Sequence, residues 1–206
     1  MTLKVIDEFK SEQFLSKYLP VVKSYSYTLN SFKAESFLGK YPIFVKTISD
    51  KAVHKAKSGA VVECLSEKQF LKQKSLILRK AKLLTAKKII IQEKVYGEEL
   101  IFGVKEDNKF GRLIMLGIGG SSAEQLKDVV FRVLPIQKKD FVSMLNELKN
   151  KAIVLKLDSD KLWQFTNKLI NFVQKHKEFV FVDLNPVIVD SNTGKPIIVD
   201  ARIYTK

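Results

Sequence analysis

The strongest constraint on the fold is that strand-length apolar runs come in pairs around short polar turns. Leu100-Ile101-Phe102-Gly103-Val104 and the stretch from Arg112 to Gly117 flank Glu106-Asp107-Asn108-Lys109, which has the residue types of a tight turn. Tyr41 to Ile48 and Ala60 to Leu65 flank a polar loop, Ser49 to Gly59, and Ile89 to Glu93 begins a further strand. Towards the C-terminus, Phe179 to Asp183 and Val187 to Val189 stand either side of a turn expected at Asn185-Pro186. A hairpin loop, Ser191-Asn192-Thr193-Gly194-Lys195, then precedes Ile197 to Asp200. Strands joined this closely pair antiparallel. Helical periods stand between the pairs: residues 10–18 ending ahead of Pro20, and a helix opened by Ser66 and Gln69 at capping-box spacing and running towards Leu84. Two more carry Phe141, Met144, Leu145, Leu148 and Leu162, Phe165, Leu169, Phe172. The expected class is α+β (mixed α/β), antiparallel sheets with flanking helices.

Charge narrows the partners. The formal net charge is +14, and most of the excess is lysine spread along the chain. Such a surplus favours polyanions in general, nucleotides and nucleic acid included. The densest stretch, Lys68 to Lys88, interleaves its cations with Phe70, Leu71, Leu76, Ile77, Leu78, Leu83 and Leu84, the pattern of a helix with one solvated face. A dedicated nucleic-acid patch is the weaker reading. No apolar run approaches the ~20 residues of a membrane span, and no apolar core follows Met1, so a cytoplasmic protein is expected. The lone Cys64 has no internal disulfide partner.

Polar residues inside apolar runs mark where chemistry could sit. Lys46 lies within an apolar strand, where burial without an anion is costly. On local pattern alone a snorkelling edge-strand lysine is the simpler reading. The loop that follows carries His54, Lys55, Lys57, Ser58 and Gly59, and cations beside glycine backbone amides make a phosphate cradle. The other histidine, His176, is expected to be exposed at a helix end. Asn185 and Asp200 end strands that a hairpin could bring side by side, and their oxygens are hard ligands suited to Mg²⁺, although a turn-starting Asn and a strand-ending Asp would look the same. Gln92-Glu93-Lys94-Val95 and Gly97-Glu98-Glu99 could meet a nucleoside. The cluster Gly117-Ile118-Gly119-Gly120 lacks the Gly-Lys-Ser/Thr of a P-loop, and no dinucleotide fingerprint or Ser-His-Asp pattern is present.

The order of these pieces carries more information than any one of them. Tyr41-Pro42, Val45-Lys46, Ser49, His54-Lys55 and Gly59 are followed by Gln92-Glu93, Gly97-x-Glu99-x-Ile101-x-Gly103-Val104 and Gly117-x-Gly119-Gly120. Then come Glu124-x-Leu126-Lys127-Asp128-Val129, Phe131-Arg132-x-x-Pro135, Asp183-Leu184-Asn185-Pro186-Val187 and Val199-Asp200-Ala201-Arg202-Ile203. The set resembles the nucleotide-binding β subunit or domain of ADP-forming acyl-CoA (acetyl-CoA) synthetases. The resemblance implies an ATP-grasp fold of two lobes, residues 1–88 carrying the phosphate loop and 89–206 carrying the adenine hinge and metal site. It implies a ligase that interconverts acyl-CoA, ADP and phosphate with carboxylic acid, CoA and ATP through phosphohistidine. On that reading His54 is the catalytic residue, and Lys46, Lys55 and Gly59 hold phosphates. Glu93 and Val95 form the adenine hinge, Glu99 lies near the ribose, and Asn185 and Asp200 hold Mg²⁺. It also implies a CoA-binding α-type partner, as an α₂β₂ assembly; the apolar runs and the charge pattern argue separately against a membrane or nucleic acid as partner. The alternatives are a catalytically altered ATP-grasp module of another ligase or acyltransferase, or a non-enzymatic basic nucleic-acid-binding module. Phe181 stands where the family commonly has a carboxylate.

Overall fold

A computed structural model describes residues 3–32, 41–49, 60–120 and 128–206. In chain order its first elements are β1 (Lys4–Ile6), α1 (Glu8–Leu15), β2 (Ser24–Tyr27), β3 (Ile43–Ile48), β4 (Val61–Cys64), α2 (Glu67–Leu83) and β5 (Lys88–Glu93). There follow β6 (Gly97–Asp107), β7 (Gly111–Ile118), β8 (Val129–Val133), α3 (Lys138–Glu147), α4 (Lys151–Val154) and α5 (Ser159–Lys175). The chain closes with β9 (Phe179–Asp190), β10 (Pro196–Ile198) and β11 (Ala201–Thr205). Contacts divide the chain into a larger unit, Met1–Val21 with Val95–Lys206, and a smaller one, Val22–Lys94. This differs from a cut after residue 88 for two reasons. Strand β1 pairs with β11 at the far end of the sequence, and β5 pairs with β2 and β3.

The larger unit is built on a 7-stranded sheet of order β1-β11-β9-β6-β7-β8, with β10 on β9 and every ladder antiparallel. Alternation sends Leu100, Phe102 and Val104 of β6, and Ile114, Leu116 and Ile118 of β7, to one face. There they pack with Phe141 and Met144 of α3 and with Leu162, Phe165, Leu169 and Phe172 of α5. Each large apolar side chain removed from water adds about 1.5–3 kcal/mol before the entropy of ordering is subtracted. The opposite face carries the alternate residues, among them Ile101 and Gly103 of β6, Met115 of β7, Asp183 of β9 and Arg202 of β11.

Two expectations are corrected here. Asn185-Pro186 does not break the chain into a turn, because β9 runs through it from Phe179 to Asp190. The ladder to β6 absorbs the interruption as a register shift, Leu184 facing Phe102 and Val187 facing Leu100, so two β9 residues oppose Ile101 alone. His176 is not a bare helix-end side chain. Its ring packs 5.0 Å from Phe14, 5.0 Å from Phe172 and 5.4 Å from Phe179, with Nε2 3.2 Å from the Tyr18 hydroxyl and Nδ1 3.0 Å from Glu178. That cluster fastens the end of α1 to the end of α5.

The smaller unit is a 4-stranded sheet of order β2-β5-β3-β4 with α2 packed on one face. Ile43 and Val45 of β3, Ile89 and Ile91 of β5 and Cys64 of β4 meet Phe70, Ile77 and Ala81 of α2. The capping reading of α2 holds: the Ser66 hydroxyl accepts from the Gln69 N–H at 3.3 Å, while Gln69 Oε1 accepts from the Leu65 N–H at 2.7 Å. Burial pushes the Cys64 thiol up, with Glu63 adding to it, so this cysteine is protonated packing rather than a nucleophile.

Candidate functional site

In the smaller unit the decisive position is Lys46. It sits mid-strand in β3, paired with Val61 on β4 and Ile90 on β5, so it is not an edge-strand lysine. Its side chain is 5% exposed. Strand parity places it on the face away from α2, with Phe44 beside Gln92 and Glu63 on the flanking strands. Gln92 is fully buried there. Lys94 reaches this same patch: its Nζ lies 2.6 Å from Glu63 and 5.9 Å from the Phe44 ring centre. This face therefore carries Lys46, Gln92 and the Lys94–Glu63 ion pair beside Phe44, polar and cationic groups suited to meeting an anionic ligand. Glu93 has the other parity. It faces Ile43 at the strand end, its N–H donating to the Lys23 carbonyl at 3.2 Å. Lys46 and Glu93 therefore lie on opposite faces of the sheet. His54, Lys55 and Gly59 lie outside the described residues.

In the larger unit the structure brings Asn185 and Asp200 together. The Asn185 N–H donates to the Asp200 carbonyl at 3.1 Å, and the Pro186 carbonyl accepts from Val199 at 3.1 Å and from Asp200 at 3.4 Å. Both side chains are half-buried, and both stem from the backbone held at the β9 shift. Two pairings along, Arg202 of β11 stands directly opposite Asp183 of β9. Glu99 is exposed near the start of β6, opposite Ile188. Glycine lets the chain close on it: the Gly119 N–H donates to the Glu99 carbonyl at 2.7 Å, and a Cβ on Gly119 would come within 3.0 Å of Glu99 Cβ. Asp128, where the described residues resume, has a buried carboxylate that accepts from the backbone N–H groups of Lys149 at 2.8 Å and Asn150 at 2.9 Å. Val95 is half-buried at the point where the two units divide.

The donor set fits a hard cation. One amide oxygen and one carboxylate, on residues whose backbones are hydrogen-bonded to each other, would leave most of an octahedral Mg²⁺ shell to water and phosphate oxygens, which is how that ion is ordinarily held. Among the described residues no group of three or more His, Cys, Asp and Glu offers an all-protein cage. Gln92, Lys94 and Arg202 were not among the residues singled out from sequence for roles of their own. Gln92 and Lys94 were legible in principle, since counting by twos along β5 puts both on the Lys46 face. Arg202 required knowing that β11 is a separate strand beside β9.

A family model described as the ATP-grasp domain matches residues 3–204. The beta subunit of acetate–CoA ligase [ADP-forming] II from Pyrococcus furiosus is 38% identical over 111 residues, 50% of this chain and 47% of that protein. The match thus spans less than half of that relative's length. The Ca. Korarchaeum cryptofilum dinucleotide forming acetyl-coenzyme A synthetase 1, in complex with coenzyme A, Ca-AMPCP and HgCl⁺, has a TM-score of 0.84 at 28% identity, covering 98% of this chain and 94% of that one. A second structure of that synthetase contains coenzyme A and Mg-AMPPCP, its phosphohistidine segment pointing towards the nucleotide binding site. It has a TM-score of 0.80 at 29% identity, over 98% and 93% of the two chains. Among the described residues no helix is long and apolar enough to cross a membrane.

Proposed function

The chain belongs to the ATP-grasp family, and from that premise we propose that it is the nucleotide-binding β-type part of an ADP-forming acyl-CoA ligase. The observation that supports the reading is the 3.1 Å backbone hydrogen bond from Asn185 to Asp200, which makes neighbours of two residues whose side chains carry hard oxygen donors. The Korarchaeum synthetase's complexes with nucleotide analogues and its phosphohistidine segment support the choice of chemistry.

In the reaction, a phosphohistidine at His54 gives its phosphoryl group to ADP. The N–P bond breaks as a β-phosphate oxygen of ADP forms the new O–P bond, and His54 is left as a neutral imidazole. Lys46, Lys55 and the backbone at Gly59 hold phosphate oxygens and offset their charge, with Lys94 adding a second cation on the Lys46 face. Glu93 and the Val95 backbone receive the adenine edge, and Glu99 receives the ribose hydroxyls. Asn185 and Asp200 hold Mg²⁺, which when bound neutralises phosphate charge. A separate CoA-binding α-type subunit supplies the acyl-CoA half of the chemistry, in an α₂β₂ assembly.

The test is a titration of the isolated chain with ADP and Mg²⁺, followed by phosphorylation from ATP. Wild type binds nucleotide in a Mg²⁺-dependent manner and takes up one labelled phosphoryl group. His54→Asn binds equally and takes up none. Equal labelling of both proteins removes His54 from the mechanism, and Mg²⁺-independent binding removes Asn185 and Asp200 from the metal site.

A further inference from the structure

The chain has four arginines, and three of them have a plain use or lie in water. Arg112 donates to the carbonyls of Val173, Lys177 and Phe179, Arg132 pairs with Glu147, and Arg79 is exposed on α2. Arg202 is the exception. It is half-buried on β11, and among the described residues its guanidinium has neither an ion-pair nor a hydrogen-bond partner. That holds although Asp183 stands directly opposite on β9 and Asp200 lies two residues back along the chain. A cation partly withdrawn from water without an acceptor is costly, and its planar fork of N–H groups suits an anion with several oxygens.

The neighbours of Arg202 narrow where that anion sits. Leu184 and Ala201, paired across β9 and β11, are buried in the core on the helix side of the sheet. Alternation sends Asp183 and Arg202 to the other face. One residue beyond Leu184 and Ala201 the same alternation returns Asn185 and Asp200 to that face, and both are half-buried. In the opposite direction the next pair is Phe181 and Tyr204, whose rings stack with centroids 5.1 Å apart at 26° and present an apolar surface rather than a carboxylate. Arg202 thus has an aromatic stack on one side and the two hard oxygen donors on the other. Two strand residues span about 6.6 Å, a gap that one phosphoryl group bridges when a metal ion takes one of its oxygens and a long arginine side chain the others.

Resting on the function proposed above, we propose that Arg202 is a catalytic residue that holds the phosphoryl group in transfer. As that group passes between nitrogen and a β-phosphate oxygen of ADP, one N–P bond and one O–P bond exchange. Arg202 donates hydrogen bonds to the non-bridging oxygens and exchanges no proton, because a guanidinium stays charged at every working pH. In a loose transition state negative charge spreads over those oxygens, so a fixed cation aimed at them favours transfer more than it favours binding. ADP, which lacks the transferring group, gains nothing from Arg202, whereas a triphosphate does.

The experiment compares the full chain as wild type, Arg202→Met and Arg202→Lys. Calorimetry gives the affinity of each for Mg²⁺–ADP and for Mg²⁺–AMPPCP, and single-turnover labelling gives the rate of phosphoryl uptake from Mg²⁺–ATP. Thermal midpoints without nucleotide show that each protein is folded. Arg202→Met is expected to keep its Mg²⁺–ADP affinity within about twofold of wild type, to bind Mg²⁺–AMPPCP about tenfold more weakly and to take up phosphoryl about a hundredfold more slowly. Arg202→Lys, which keeps the charge and loses the fork, is expected to recover most of the analogue affinity and little of the rate. Unchanged analogue affinity and uptake in Arg202→Met overturn the proposal. Equal weakening of ADP and AMPPCP overturns it too, since that marks a structural or uniformly binding residue. The analogue affinities need neither transfer nor a partner subunit, so they decide alone where labelling is absent. Should the methionine variant fail to fold, a wild-type uptake rate or a parallel loss of both nucleotides in Arg202→Lys overturns the role. Wild type that binds no Mg²⁺–nucleotide is a separate result, which removes the proposed function itself and the role of Arg202 with it.

Discussion

At Gly97 an ideal Cβ would lie 1.8 Å from the Val189 carbonyl oxygen, at a φ of +157°. The carbonyl belongs to β9, whose pairing with the start of β6 puts Glu98 opposite Val189. Any side chain at this position has to pry the two strands apart just where β6 begins and just before Glu99. Gly97→Ala should therefore cost roughly 1–3 kcal/mol in urea unfolding, and it should weaken Mg²⁺–ADP binding as well. A substitution at Gly111 is the control: φ is +76° there, but a Cβ would meet nothing within 4 Å, so conformational strain alone remains. Single residues were unevenly legible. Lys46 stood out because a charge in an apolar strand needs a reason. Asp128 did not, because its partners, the Lys149 and Asn150 backbones, lie 21 and 22 residues further along, and no local pattern reports a carboxylate closing that distance.

Helix starts show how far local chemistry reaches. Asp158 opens α5, accepting from the backbone N–H groups of Asp160 at 3.0 Å and Lys161 at 3.1 Å. The Lys161 N–H, then that of Asp160, holds the Asp158 carboxyl below the usual aspartate range. The folded state therefore binds its proton less readily than the unfolded chain does. The stabilisation is fully present above the ordinary aspartate pKa near ~3.9 and is lost as pH falls through the folded value. Thermal midpoints measured from pH 7 down to pH 3 should fall for wild type over the acid end. For Asp158→Asn, which caps without titrating, the fall should be shallower; parallel curves remove the cap from the acid response. Strands divided along a similar line. The β6–β7 hairpin was legible because apolar alternation and turn residues agree. Strand β2, Ser24-Tyr25-Ser26-Tyr27, has little apolar content and becomes a strand because β5 offers it a ladder. Asn185-Pro186 has the composition of a turn, and only the partner strand β6 decides that the chain continues straight.

For the whole molecule, two cores follow from the way the chain is divided, each with its own sheet, the larger packed by several helices and the smaller, among the described residues, by α2. The class of fold was readable from hairpins and helical periods; the division was not, since it depends on the first 21 residues joining the last 112 rather than the segment they precede. A nucleotide that binds only the native state stabilises it by mass action, by roughly 2.7 kcal/mol at a hundred times its Kd. Thermal scans with Mg²⁺–ADP should show a rise that grows with the logarithm of ligand concentration. Chelating the Mg²⁺ should abolish most of it. No shift at saturating concentrations would leave the proposed nucleotide role without support. The ladder that sets Lys4 against Thr205 has its own consequence. The two ends of the described chain are edge neighbours, so a few glycines could splice them and a new opening be cut at the exposed Asp107–Lys109 bend. Such a circularly permuted chain keeps every strand beside the same neighbours, and the order in which they are synthesised becomes a variable that can be changed without altering the finished sheet.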